Sequence, residues 1–185
     1  MTKKNQKIIM GTCNPDESNL AKVAFDTETG FYYAMDGYRL VRVEMTEFCG
    51  AEIPVFDDND KVVLPNYKHY VEQANTTNYT MVEIPYTVAQ IKKWRSANLK
   101  RKESLPFTFG IRINNPYRKV WFGINPKFLT DAMETTGNNR IYIPEKGSNF
   151  FMEGNGYLWI ICAVECRDSF KCNHSMTEIS EEILV

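Results

Sequence analysis

Six of the eleven residues from 92 to 102 are cationic: Lys92, Lys93, Arg95, Lys100, Arg101 and Lys102. The whole chain of 185 residues sets 22 Lys and Arg against 23 Asp and Glu, a formal charge of −1, so this positive field is local. Such a run can hold backbone phosphates through counterion release without reading bases. On a helix over 86–98, Lys92, Lys93 and Arg95 fall on the side away from Val88 and Ile91. A solvated basic helix face with its following loop explains the same residues, and the sequence leaves both readings open.

Catalytic chemistry has no comparable signal. The chain has no P-loop, no Gly-rich dinucleotide turn after a strand and no G-x-S-x-G elbow. Its two histidines are His69, among aromatics on an expected helix, and His174, in a polar tail. No nucleophile–base pair can be nominated from them, so the chain is expected to be non-catalytic and to need no cofactor. Cys162, Cys166, Cys172 and His174 are spaced x3, x5 and x1, unlike the paired knuckles of an ordered zinc site. The acidic turn Asp57-Asp58-Asn59-Asp60 lacks the glycine and terminal glutamate of a calcium loop. No metal is expected.

The elements that position these residues follow from periodicity. Alternation and apolar runs predict strands over 22–26, 31–35, 38–45, 61–64, 80–84, 107–113, 118–124, 140–143, 149–152 and 157–165. Turn residues punctuate them, among them Glu28-Thr29-Gly30, Asp36-Gly37, Asn114-Asn115-Pro116 and Gly154-Asn155-Gly156. Helices are expected over 66–75, 86–98 and 126–136, the last opened by Asn125-Pro126, with a short one before Asp16. The fold class is therefore α+β: antiparallel sheets with helices packed on one face. A faint repeat relates Leu64-Pro65, Tyr70-Val71 and Ile84-Pro85 to Phe122, Phe128-Leu129 and Ile143-Pro144. Duplication and the sameness of strand–helix–strand units both account for it.

No apolar run approaches the roughly 18–20 residues of a membrane span. The start of the chain has lysines but no apolar stretch before Gly11-Thr12-Cys13, so no signal peptide is expected. The five cysteines are then reduced thiols of a cytoplasmic protein.

Short segments in sequence resemble one family. Asp36-Gly37-Tyr38-Arg39-Leu40 resembles the Thr-Asp-Gly-His-Arg-Leu strand of bacterial DNA sliding clamps, the polymerase III β subunits. Asp16-Glu17-Ser18 with Val23-Ala24-Phe25-Asp26 lies upstream, and Val62-Val63-Leu64-Pro65 precedes a helix downstream, in the family's order. Asn125-Pro126-Lys127-Phe128-Leu129-Thr130-Asp131-Ala132-Met133 is similar to the helix of the clamp's last domain. Arg140-Ile141-Tyr142-Ile143 and the final strand from Tyr157 to Val164 follow. The resemblance covers about residues 16–165.

It implies a DNA-clamp-like fold, two clamp-like domains at 1–80 and 81–166, and a polar tail at 167–185. It implies a processivity or adaptor protein that meets double-stranded DNA through its phosphates, with Lys92, Lys93, Arg95, Lys100, Arg101 and Lys102 on the DNA side. Replication or repair proteins would insert short apolar peptide motifs into a pocket formed by Gly37, Tyr38, Leu40, Pro65, Ile160, Ile161 and Cys162. A homo-oligomer is expected, and no membrane partner. The sequence departs from the family in Tyr38, where clamps usually have His, in Ile161-Cys162, where they have Pro-Met, and in having fewer residues than three domains need. The alternative is an α+β protein-interaction module with the clamp-like fold and no DNA encirclement.

Overall fold

Asp36 and Gly37 show how this chain makes its sheets. The Asp36 carboxylate accepts the backbone N–H groups of Tyr38 and Arg39, both at 3.0 Å, while Gly37 takes φ +88°, which a side chain would oppose. The turn returns the chain as a hairpin. Asn155 and Gly156, with φ +47° and +74°, close a second, two-residue hairpin in the same way.

The computed structural model describes residues 1–76, 78–99, 109–114, 119–144 and 149–166. Five helices are described: α1 (Lys3–Met10), α2 (Met45–Phe48), α3 (Tyr67–Thr76), α4 (Val88–Leu99) and α5 (Pro126–Thr136). The strands are β1 (Ala24–Asp26), β2 (Phe31–Met35), β3 (Arg39–Glu44), β4 (Tyr79–Glu83), β5 (Phe109–Asn114), β6 (Lys119–Ile124), β7 (Arg140–Pro144), β8 (Asn149–Gly154), β9 (Tyr157–Cys162) and β10 (Val164–Cys166). One antiparallel sheet runs β1-β2-β3-β9-β8-β7-β4, and a smaller one runs β10-β6-β5.

The order of the large sheet has a symmetry. An α-β-β-β unit, α1 followed by β1, β2 and β3, meets a second unit, α5 followed by β7, β8 and β9, at the antiparallel β3–β9 junction. The two helices touch, and α5 packs on β8 and β9 beside that junction. The repeat visible in the sequence paired residues 64–85 with 122–144 instead; in the structure those segments end in the neighbouring strands β4 and β7.

Strand alternation divides the side chains of this sheet between two cores. On one face Val41, Val43, Phe150, Met152, Trp159 and Ile161 pack under Ile8 and Ile9 of α1, Ile91 of α4, and Leu129 and Ala132 of α5. On the other, Tyr33, Leu40, Phe151, Leu158 and Ile160 pack against Tyr67 and Val71 of α3. The expected one-sided helix layer therefore holds for α1, α4 and α5, whereas α3 covers the opposite face. Its Tyr67 stacks on Tyr33 with ring centroids 5.2 Å apart, which fixes it there.

Local chemistry explains the helix limits. Asn125 caps α5 by accepting the Lys127 N–H at 2.9 Å, Pro126 occupies the first turn, and Gly137 ends the helix at φ +71°. Thr87 and Gln90 form a reciprocal cap that starts α4 two residues later than the periodicity suggested. Three strand expectations change. Residues 61–64 form no strand: Val63 is 87% exposed and no neighbouring strand pairs with this run among the described residues. The segment 38–45 ends at Glu44, because Met45 begins α2, whose Phe48 stacks on Tyr32 at 3.8 Å. The long strand at 157–165 breaks at Ala163, and its two pieces join different sheets.

The large sheet draws strands from residues 24–83 and from 140–162, so it crosses the division expected at residue 80. The polar tail expected at 167–185 lies outside the described residues.

Candidate functional site

The Asp36-Gly37 turn ends beside the last residue of β9, where the Cys162 N–H donates to the Tyr38 carbonyl at 2.8 Å. An open depression of about 80 Å³ forms there. Gly37, Tyr38, Leu40, Ile160 and Cys162 line it, five of the seven residues expected of a pocket. Met35, Arg39, Tyr70 from α3 and Asn149 from β8 complete the wall. Leu40 and Ile160 supply an apolar floor, while Tyr38, 69% exposed, stands at the rim. The Cys162 thiol lies 3.1 Å from the Asn149 carboxamide oxygen, and burial followed by the nearby Asp36 charge raises its pKa.

Two expected residues lie elsewhere. Ile161 faces the α5 side of the sheet and is fully buried there, because adjacent strand residues point to opposite faces. Pro65 is not in the lining; its carbonyl accepts the Tyr67 N–H at 2.9 Å, so it sets the start of the helix that delivers Tyr70.

Arg39, in the middle of the expected motif, has a role the sequence did not disclose. It is 4% exposed, yet its guanidinium meets three acceptors. Nε donates to Asp36 at 2.9 Å, Nη1 donates to Asp131 of α5 at 2.6 Å, and Nη2 donates to the Gly11 carbonyl at the end of α1. The Phe128 ring lies 4.3 Å from it. A buried cation is tolerated only with pairing of this completeness. One side chain thus joins the pocket wall to both helices across the sheet. Nearby, burial and the Asp36 charge push the Cys13 thiol up to about 11, although Arg39 pulls it down. An Arg opening an apolar strand directly after an Asp-Gly turn was the signal available for it.

The basic helix lies on the other side of the sheet. Ile91 anchors α4 in the core, which turns Lys92 and Lys93 outward, with Arg95 partly exposed. Lys100, Arg101 and Lys102 lie outside the described residues. Lys92 donates to Glu134 of α5 at 2.5 Å, and Lys4 of α1 reaches the same carboxylate oxygen at 3.0 Å. Burial alone would raise the Glu134 pKa, but the two lysines more than offset it and hold the carboxyl below the usual glutamate range. The exposed Lys3, Lys4 and Lys7 of α1 extend the cationic surface. Those three lysines were not among the cations that the sequence pointed to for DNA.

Among the described residues, no group of three or more His, Cys, Asp or Glu side chains is placed to hold a metal ion. No described helix is long and apolar enough to cross a membrane.

No protein-family model matches the sequence, and no curated protein does. A solved structure does match: the DNA polymerase III β subunit of Thermotoga maritima superposes with a TM-score of 0.55 over 89% of this chain, at 16% identity. The fold is sliding-clamp-like. The chain spans 63% of the length of that structure. A provisional DNA polymerase III β subunit from Eubacterium rectale superposes at 0.49 with 13% identity, over 87% of this chain and 62% of that one, and adds nothing to the first. The clamp-like arrangement agrees with the order of the short segments around Asp36-Gly37 and Asn125-Pro126. At this identity it speaks for the fold alone.

Proposed function

We propose that this clamp-like protein is a non-catalytic adaptor that associates with double-stranded DNA through backbone phosphates and holds partner proteins by short apolar peptides. One relationship carries the reading: the cationic helices and the apolar depression lie on opposite faces of one sheet. DNA on α1 and α4 would leave the depression beside α3 open, so both partners could be held at once. Lys3, Lys7, Lys93 and Arg95 make no ion pair among the described residues and are available to phosphate. The depression has the size for one apolar anchor, with Tyr38 and Asn149 to orient it. The clamp resemblance supports a homo-oligomer of a cytoplasmic protein.

The test is binding of a fluorescent DNA duplex measured against salt. The wild type binds with affinity that falls steeply as salt rises, and the change of Lys92, Lys93 and Arg95 together to Glu weakens binding and flattens the slope. Equal affinity and slope in both proteins would overturn the DNA part.

A second reading is a protein-interaction module with the clamp-like fold and no DNA encirclement. The sharing of Glu134 by Lys4 and Lys92 favours it, since those two charges are partly neutralised within the chain. Under that reading the protein retains no nucleic acid even at low salt, and native mass spectrometry gives a monomer at high concentration.

A further inference from the structure

Glu134 occupies an unusual place among the helices. Its side chain is 9% exposed, whereas the lysines above it, Lys4 and Lys92, are 62% and 47% exposed. Both ammonium groups converge on one oxygen, Oε1, from two different helices. Two outward cations folded over one sheltered anion form the arrangement that a phosphate oxygen would make from outside, with the anion supplied from within.

We propose that Glu134 is an internal competitor for phosphate, which sets how tightly the basic face holds a polyanion. The inference rests on the reading that this face meets DNA. A phosphate arriving at Lys4 or Lys92 must share or displace the Glu134 carboxylate, so these lysines add little to affinity while Glu134 is ionised. Lys3, Lys7, Lys93 and Arg95 have no such competitor among the described residues. The surface is thereby divided into cations free to bind and cations held in check. Coulomb attraction at these distances is substantial only where water is partly excluded, as it is around Glu134. The competitor is placed where it acts on two helices together, and an exposed glutamate at the rim would be screened by salt.

The experiment uses the full chain and a DNA duplex of about 20 base pairs, with Kd measured from low to moderate salt. Glu134→Gln keeps the size of the side chain and removes its charge. Its affinity at low salt rises by about tenfold, and the slope of log K against log salt steepens by about one to two phosphate contacts. Lys92→Gln then completes a double-mutant cycle. In the wild-type background it changes Kd by less than about twofold; in the Glu134→Gln background it costs about fivefold or more. A purely structural role for Glu134 would leave these two effects of Lys92→Gln equal.

If Glu134→Gln binds duplex as the wild type does while Lys93→Glu with Arg95→Glu weakens it, the DNA reading stands and the competitor is overturned. If Glu134→Gln binds and the wild type does not, the competitor is supported in its strongest form. Absence of binding by both proteins overturns the reading and the inference together. A circular dichroism spectrum matching the wild type confirms that Glu134→Gln is folded. Should it not be, Lys92→Gln alone serves instead, since Lys4 still pairs with Glu134: the competitor requires it to keep wild-type affinity within about twofold, and a larger loss overturns it.

Discussion

Arg39 and Asp131 lie 2.6 Å apart, a buried ion pair that joins the strand bordering the depression to the helix at the centre of the basic face. Both partners are buried, and Asp131 also accepts Lys127 at 2.6 Å. Changing Arg39 to Ala leaves Asp36 and Asp131 without their shared cation. The expected cost is about 3–5 kcal/mol of unfolding free energy, measured by urea denaturation. Arg39→Lys loses the fork that reaches three acceptors and recovers only part of it. A loss below about 1 kcal/mol for Arg39→Ala would show that the pair is not the link described.

Tyr38 separates binding from stability at the depression. Its ring is largely in solvent, so Tyr38→Ala should shift unfolding free energy by no more than about 0.5 kcal/mol. Retention of apolar partner peptides should fall in the same variant. Leu40→Ala acts differently, because Leu40 is a core residue facing α3, and should cost about 2–5 kcal/mol. Calorimetric melts alongside peptide capture distinguish the two, and equal losses of stability would contradict the geometry.

Acid should loosen the junction of α1, α4 and α5. The Glu134 pKa is below its ordinary value of 4.5 in the folded protein, so its contribution to stability is present above that value. It is lost as pH falls through the folded pKa, when the carboxyl protonates and releases Lys4 and Lys92. The difference in unfolding free energy between wild type and Glu134→Gln should be full near neutrality and vanish in strong acid. Urea melts over that range check the sign, and a difference that grows in acid would refute it.

Trp159 depends on one hydroxyl. Its indole N–H donates to Thr135 Oγ1 at 2.7 Å, with both residues buried between β9 and α5. Thr135→Val keeps the shape and leaves the indole N–H without an acceptor, at a cost of about 1–3 kcal/mol. A shifted tryptophan emission in the folded variant would accompany it. Unchanged stability would mean that another acceptor replaces the hydroxyl.

Local signals made some of this structure legible and distance hid the rest. Helix α5 was readable to the residue because Asn125, Pro126 and Gly137 mark its ends by their own chemistry. The turns at Asp36-Gly37 and Asn155-Gly156 were equally local. Val62-Val63-Leu64 has the composition of a strand, but strandhood needs a partner, and composition cannot supply one. In the candidate depression, Leu40 and Ile160 were named together with Ile161, although a period of two sends Ile160 and Ile161 to opposite faces. Lys92 was visible as a charge, whereas its partner Glu134 lies 42 positions further on. Arg39 and Asp131 are 92 positions apart, and no pattern near either residue announces the other.

The junction of β3 with β9 governs how this chain can acquire its shape. Leu40 pairs with Met35 on one side and with Ile160 on the other, so the middle of the large sheet is assembled from segments made early and late. Until β9 emerges from the ribosome, β3 presents an open edge and the apolar side chains around Val41 lack the cover of α5 and β9. Contacts of such long range favour slow folding and a transient hazard of intermolecular strand pairing. Synthesis, rather than the finished protein, is where this architecture is most exposed.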